Sequence, residues 1–234
     1  MRLRVIDIET SGGTPSEIIE IGAVDVVVGP SGWVAEPPRA KLFKPLRPMS
    51  FHAIAVHHLT ADMLAGYDPC DHETLNAFIN DGGRPDYLVA HSAAFESAHI
   101  PPEATGGIDW LCTAKSAKRA WPEAPGHSNQ VLRYWRDLRL DPALAMPAHR
   151  AAPDAWVTAH LLIDLLKTAT VESMFEWSHA PRDLTRIPFG KHRGKPWSAA
   201  PSSYLQWLIA EPDMAEDVAD RARRELEDRL AEAA

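Results

Sequence analysis

The sequence is poor in cysteine, has fewer basic than acidic residues and contains no long apolar run. Its 234 residues include only two cysteines, Cys70 and Cys112, which excludes a disulfide framework and a cysteine-based zinc site. Lysine and arginine number 24 against 32 aspartate and glutamate residues, a formal net charge of -8. This balance excludes a uniformly basic DNA-coating protein. An acidic chain still binds nucleic acid when its carboxylates hold divalent cations and its basic residues cluster.

Membrane and export signals are also missing. No apolar run approaches the roughly 18 residues that a membrane span needs. The stretch that follows Met1 reaches the carboxylate of Asp7 too soon for a signal peptide. Hydrophobic residues make up 45% and charged residues 24% of the chain, which excludes disordered and collagen-like classes. We therefore expect a cytoplasmic globular protein with no membrane contact.

Apolar periodicity predicts three leading strands, followed by alternating helices and strands. Strands are predicted at 3–8, 18–28, 40–45, 87–90 and 110–112, with a loop at 29–38. Helices are predicted at 53–64, 71–79 and 113–121, after Ser92 and Ser128, and from Pro153 to about 168. This order predicts an α/β fold with a mixed sheet covered by helices.

The last third of the chain has a different character. The periodic pattern lapses between 170 and 186, and a basic, glycine-punctuated, hairpin-like piece follows at 187–195. Two more helices are predicted near 202–210 and 214–233. We therefore expect a domain at 1–170, a linker at 171–186 and a small α+β module at 187–234. The last helix, with apolar residues at four-residue spacing, is expected to cap this module, and a dimer contact is the alternative.

Local charge in this region is positive. Between Pro181 and Trp197 there are five basic residues against Asp183 alone, so 5 - 1 = +4. Such clusters bind phosphates, so we expect Lys191, Arg193 and Lys195 to contact DNA. The aromatic residues Trp197, Tyr204 and Trp207 either form the module's core, which we favour, or stack on bases.

Three acidic motifs are candidates for chemistry. Asp7 and Glu9 are two apart on the first strand, so both point to one face, where two adjacent anions favour a bound Mg²⁺ or Mn²⁺. Asp154 falls in the first turn of a helix with His149 on the loop before it, a placement suited to a metal ligand and a proton acceptor. Glu96 follows the strand at 87–90. Taken singly, these motifs also fit solvated surface residues.

The three motifs in this order resemble the DEDDh 3′→5′ exonucleases, over about residues 3–168. The resemblance implies an RNase H-like fold with a mixed five-stranded sheet. It also implies two Mg²⁺ or Mn²⁺ ions held by Asp7, Glu9, Glu96 and Asp154, with His149 accepting a proton from the attacking water. Contacts to the terminal nucleotide are expected from His57, Leu59, Thr60 and Ser92. The implied activity is release of mononucleotides from single-stranded or duplex DNA 3′ ends, with a role in DNA repair.

Two residues depart from the family pattern. Ser92 stands where the family usually has Asn, and Glu96 where it has Asp. Glutamate keeps the charge and adds one methylene, and a misplacement of about 1 Å can cost on the order of 100-fold in rate. These departures keep open a catalytically weakened protein that binds 3′ ends. An RNA exonuclease of the same superfamily is a second alternative, because sequence does not reveal contacts to the 2′ hydroxyl. A polymerase proofreading subunit is a third and ranks lower, because the C-terminal piece has no obvious polymerase-tethering feature.

Overall fold

The computed structural model describes residues 1–180, 184–211 and 214–232. The chain divides into two compact units, Met1–His179 and Ala180–Ala234. Arg182 and Asp183, which entered the local charge count above, lie outside the described residues. No helix in the described ranges is long and apolar enough to cross a lipid bilayer.

The first unit is built on a mixed sheet of six strands rather than the expected five. They are β1 (Arg2–Thr10), β2 (Ile18–Gly29), β3 (Gly32–Ala35), β4 (Arg39–Leu42), β5 (Tyr87–Ala90) and β6 (Trp110–Cys112). The order is β3-β2-β1-β5-β6, and β4 also pairs with β2. Strands β1 to β4 pair antiparallel, whereas β5 is parallel to β1 and β6 is parallel to β5.

The additional strand, β3, lies in the segment 29–38 that was predicted to be a loop. It pairs with the far end of β2, while β4 pairs with Glu20–Ala23 of the same strand. Pro37 and Pro38 separate the two short strands, and proline cannot donate to a sheet ladder. Two short strands of four residues each, β3 and β4, therefore pair with β2 where one longer strand was predicted.

Helices cover both faces of the sheet in this unit. They are α1 (Phe51–His57), α2 (Ala61–Leu64), α3 (His72–Asn80), α4 (Ala93–His99), α5 (Pro102–Thr105), α6 (Thr113–Ala120), α7 (Asn129–Trp135), α8 (Pro142–Ala145), α9 (Ala151–Leu165) and α10 (Val171–His179). On one face, Val5 and Val24 pack with Leu161 of α9. On the other face, Ile6 and Ile21 pack with Ile79 of α3.

Two predicted helices differ from the observed ones. The helix expected at 53–64 is broken into α1 and α2, because His58 has a left-handed φ of 60° and the His57 Nδ1 accepts a hydrogen bond from the Leu59 N–H at 3.0 Å. Helix α9 begins at Ala151 and ends at Leu165, so Pro153 is its third residue. Proline is tolerated there because the first-turn N–H groups have no helical partner.

Helix α10 occupies residues that were expected to be linker. Val171 and Met174 are buried in the core of the first unit, and the Ser178 hydroxyl accepts a hydrogen bond from the Cys112 N–H of β6 at 2.7 Å. The first unit consequently extends to His179 instead of ending near 170.

The second unit contains α11 (Ser202–Ala210) and α12 (Glu216–Glu232) around its own small core. Trp197 is 1% exposed and donates its indole N–H to the Leu184 carbonyl oxygen at 2.7 Å. Among the described residues of this unit, the expected β structure amounts to a single bridge between Arg186 and Pro196. A short 3-10 turn, Gly190–His192, replaces the expected hairpin strand.

Candidate active site

Two acidic side chains of β1 lie on the face of the sheet that α9 covers. Asp7 pairs with Gly22 of β2, and Glu9 pairs with Glu20. A Cβ atom on Gly22 would lie 2.3 Å from the Ala151 carbonyl carbon. Because glycine has no side chain there, the first turn of α9 reaches the sheet directly above the acidic pair.

The first turn of α9 contributes Asp154 to the same place. Its carboxylate accepts hydrogen bonds from the His149 backbone N–H at 2.7 Å and from the Gln130 side-chain amide at 2.9 Å. His149 has a left-handed φ of 60° and an exposed side chain. Ligand atoms of Glu9, His149 and Asp154 all lie within 4.8 Å of one another, so this group could hold a metal ion.

The buried Glu20 and the partly exposed Arg150 form an ion pair, called here the Glu20–Arg150 clamp, that sequence reasoning missed. The Arg150 Nη2 lies 2.8 Å from the Glu20 Oε1 and the Arg150 Nε 2.9 Å from the Glu20 Oε2. The Glu20 Oε2 also accepts the Ala151 backbone N–H at 3.0 Å, which satisfies an N–H that opens α9. The clamp therefore fixes the chain between His149 and Asp154. The sequence signal that could have indicated this ion pair is Glu20, a charged residue inside the apolar run of β2.

Glu96 approaches from α4 on the neighbouring part of the sheet. Its side chain is buried, and its Oε2 has no hydrogen-bond partner in the described structure. A buried carboxylate oxygen without a partner is costly unless a cation approaches it. Ser92 is the exposed residue that precedes α4, and its side chain makes no capping hydrogen bond.

The crowding of carboxyl groups is visible in their pKa values. Burial and then the nearby Asp154, Glu96 and Glu9 hold the pKa of Asp7 well above its usual range. Burial, with neighbouring carboxylates, raises the pKa of Glu9 to about 8, and burial together with Glu9 raises the pKa of Glu96 to about 8. Burial raises the pKa of Asp154 as well, against the hydrogen bond from His149. A divalent cation would relieve this repulsion, so the site's donor set fits such an ion.

The segment expected to contact the terminal nucleotide is only partly at the surface. Leu59 is 1% exposed and packs with Ile19 and Leu64, and His57 is 2% exposed. The break between α1 and α2 turns Leu59 inward, so the structure does not present its side chain for a nucleotide contact. Thr60 is exposed, and its hydroxyl accepts the Met63 N–H at 3.4 Å at the start of α2.

The remaining expected DNA contacts lie in the second unit. Lys191, Arg193 and Lys195 are all exposed. Of the aromatic residues expected to form this unit's core, Trp197 and Tyr204 are buried, whereas Trp207 is 46% exposed. The core expectation is therefore wrong for Trp207.

Known proteins are similar to this chain in sequence and in fold. The RNase_T family model, described as Exonuclease, matches residues 5–162. The chain is 36% identical to exodeoxyribonuclease 10 of Escherichia coli (strain K12) over 212 residues, which cover 88% of this chain and 90% of that protein. Because the first unit comprises 179 of the 234 residues, a likeness of that extent continues into the second unit.

Solved structures agree with the sequence comparison. Exonuclease X in complex with 5′ overhanging duplex DNA matches with a TM-score of 0.60 and 33% identity, covering 75% of this chain and 99% of that one. The nuclease domain of 3′hExo, a DEDDh family member bound to rAMP, matches in fold with a TM-score of 0.53 and 15% identity, covering 71% and 92%. The expected RNase H-like fold is thereby confirmed, and the chain belongs to the exonuclease family and its DEDDh group.

Proposed function

We propose that the chain is a divalent-metal-dependent 3′→5′ exodeoxyribonuclease that releases mononucleotides from DNA 3′ ends. The observation that carries this proposal is the gathering of Asp7, Glu9, Glu96 and Asp154 beside His149 in a member of the exonuclease family. The relative at 36% identity is named an exodeoxyribonuclease, and the solved relative at 33% identity is in complex with 5′ overhanging duplex DNA. Both names support DNA as the substrate.

The four carboxylates would hold two Mg²⁺ or Mn²⁺ ions. Bound divalent ions lower the pKa of a nucleophilic water and neutralise charge on the attacking and leaving oxygens. Hard carboxylate oxygens are the ligands that both ions prefer. The unpartnered Oε2 of Glu96 supports its place in this set despite the longer side chain.

His149 is the proposed proton acceptor. Its imidazole is exposed on the loop before α9, and its backbone is tied to the Asp154 carboxylate at 2.7 Å. This arrangement leaves the ring free to take a proton from the attacking water while the chain beneath it stays fixed. The water oxygen would then form a bond to phosphorus while the bond between phosphorus and the 3′ oxygen breaks. The 3′ oxygen takes a proton from solvent and becomes the new 3′ hydroxyl of the shortened strand, and the terminal residue leaves as a nucleoside 5′-monophosphate.

Substrate contacts are proposed in both units. In the first, Ser92 and Thr60 are exposed, while the buried His57 and Leu59 shape the turn that presents Thr60. In the second, the exposed Lys191, Arg193 and Lys195 supply positive charge for DNA phosphates. A cytoplasmic location and a role in DNA repair stay predictions.

The experiment uses 3′-labelled single-stranded and duplex DNA with the purified chain, in Mg²⁺, in Mn²⁺ and in EDTA. We expect labelled mononucleotides only when a divalent ion is present. An RNA strand of matched sequence tests the sugar preference, because discrimination depends on contacts to the 2′ hydroxyl. Faster release from RNA would reassign the substrate. Binding of DNA without release under any divalent ion would identify the chain as a 3′-end-binding protein.

A further inference from the structure

The second unit has a surface pocket that its core does not fill. The pocket has a volume of about 420 Å³ and is lined by Gly190, Lys191, Pro201, Ser203, Tyr204 and Trp207. We call it the Trp207 pocket. Its volume falls in the range of small-ligand sites, about 300 to 1,000 Å³. No carboxylate of the residues that the structure describes lines it.

Aromatic rings form one side of the Trp207 pocket. Trp207 is 46% exposed, and its ring lies 5.5 Å from that of Tyr204, with the two planes 33° apart. Trp197, by contrast, is 1% exposed in the core. The unit therefore uses one tryptophan for packing and leaves the other open to solvent.

The backbone at Gly190 is shaped around these rings. Gly190 has a left-handed φ of 71°, and a Cβ atom there would lie 2.8 Å from the Tyr204 hydroxyl oxygen. A side chain at this position would close the pocket against Tyr204. The glycine therefore keeps the wall open and brings Lys191 beside the aromatic rings.

Positive charge borders the same rings. The Lys191 Nζ lies 5.8 Å from the centre of the Tyr204 ring, and the His192 ring lies 4.6 Å from it on an edge-to-face approach. Burial, with the positive charges of Lys195 and Lys191, lowers the pKa of His192. An exposed indole in a pocket that a lysine also lines matches the combination that binds single strands, where bases stack and phosphates pair with cations.

We infer that the Trp207 pocket binds an unpaired base of single-stranded DNA, stacked on Trp207, with the adjoining phosphate against Lys191. This inference rests on the proposed function in taking DNA as the ligand. The proposed function gives the second unit only phosphate contacts, whose strength depends on charge. The inference adds to that unit a site that contacts a base. Stacking tolerates every base, because each has a flat face.

The test measures binding of the full chain to a fluorescein-labelled single strand by anisotropy in EDTA, where the metal ions needed for hydrolysis are removed. A strand of the same length and charge without bases serves as the second ligand. Wild type should prefer the strand with bases. Trp207→Ala should lose about 5- to 150-fold in affinity for that strand, and Trp207→Phe should keep most of it.

Two further variants complete the test. Lys191→Ala measures the contribution of charge, and Leu230→Ala is the control for a substitution elsewhere in the same unit. Lys191→Ala should weaken binding of both strands alike and reduce the salt slope by about 0.7. Leu230→Ala, which alters a residue 72% exposed on α12, should bind as wild type does. Equal binding of the two strands by wild type, or unchanged binding by Trp207→Ala, would overturn the inference. Tighter binding of a matched RNA strand would overturn the choice of DNA.

The inference and the proposed function fail in different ways. Mononucleotide release by the same wild-type preparation in Mn²⁺ tests the proposed function alone. Absent release, with base-dependent binding intact, would reject the exonuclease and keep the Trp207 pocket. Normal release with no base dependence would do the reverse.

Discussion

The two units handle charge in opposite ways. In the first, carboxylates from β1, α4 and α9 are drawn into one buried place, where their pKa values rise because they lose water and repel one another. In the second, Lys191, Arg193 and Lys195 stay exposed, and Lys191 lines the pocket that holds the open ring of Trp207. The net charge of -8 averages these two regions and describes neither. In the proposed function, the first region takes the scissile phosphate and the second contacts the rest of the strand.

The largest effect is expected from His149→Ala. Loss of a general base typically lowers the rate by about 100- to 10,000-fold, and we expect kcat to fall within that range while DNA binding persists. The matched control is His72→Ala, which alters an exposed histidine on α3, a helix of the opposite face. Equal rates for His149→Ala and wild type would remove His149 from the mechanism.

Next in size is the Glu20–Arg150 clamp. Glu20→Gln weakens the bonds that hold the chain between His149 and Asp154, and supporting residues of this kind typically contribute about 10- to 100-fold. We expect a lower kcat and a weaker apparent Mn²⁺ affinity, with an unchanged KM for DNA. Arg139→Ala, which removes the exposed ion pair with Asp137, is the control and should change neither. A Glu20→Gln protein with wild-type kcat would show that the clamp is dispensable.

Metal binding should depend on pH in the first unit. Glu9 and Glu96 have pKa values of about 8 in the folded chain against an ordinary value of 4.5. Between these values the folded chain holds more protons than the unfolded chain, so the stability of the metal-free protein falls as pH rises from about 4.5 to about 8. A bound cation displaces those protons, so the apparent Mn²⁺ affinity should rise by about tenfold per pH unit for each proton displaced.

Thermal unfolding with EDTA and with Mn²⁺, near pH 6 and near pH 8, checks this dependence. The rise in Tm caused by Mn²⁺ should be larger at the higher pH. Glu9→Gln should reduce the difference, whereas Glu103→Gln, at an exposed position on α5, should leave it as in wild type. The same rise in Tm at both values would contradict the proton displacement.

The smallest effect is expected in the second unit. Lys195→Ala should weaken binding to single-stranded DNA by no more than about fivefold, because an exposed charge pair contributes little. The salt slope should fall by about 0.7. Arg223→Ala, on α12 and already paired with Asp220, is the control for a cation of the same unit outside the cluster. If both variants weaken binding equally, the basic cluster has no special part in it.

Local pattern predicted much of the fold, and long-range packing decided the rest. Strand β5 and helix α11 match their predicted bounds, because β5 is a short continuous apolar run and α11 has apolar residues at helical spacing. The Glu20–Arg150 contact joins residues 130 positions apart, so no local pattern contains it. Apolar periodicity predicted one helix over 53–64, but the left-handed backbone at His58 interrupts it. Leu59 consequently points into the core.

The candidate site shows the same division. Residue types and their order brought Asp7, Glu9, Glu96, His149 and Asp154 forward as candidates. The structure brings ligand atoms of Glu9, His149 and Asp154 within 4.8 Å of one another. Burial, and then repulsion by the carboxylates of this group, raises the pKa values of Asp7 and Glu96. The sequence did not predict the contacts that hold these side chains in position. Those contacts depend on the register of β1 against β2 and on the close approach of α9 to Gly22.

The most direct test of the metal site is a crystal structure of the His149→Ala protein with Mn²⁺ and a short DNA strand. Anomalous scattering would locate manganese independently of the protein. The account predicts Mn²⁺ ligated by Glu9 and Asp154, with the free Glu96 Oε2 as a further ligand and the terminal phosphate beside the ions. A site without manganese, or manganese bound while Glu96 keeps its oxygen away from every ion, would contradict it.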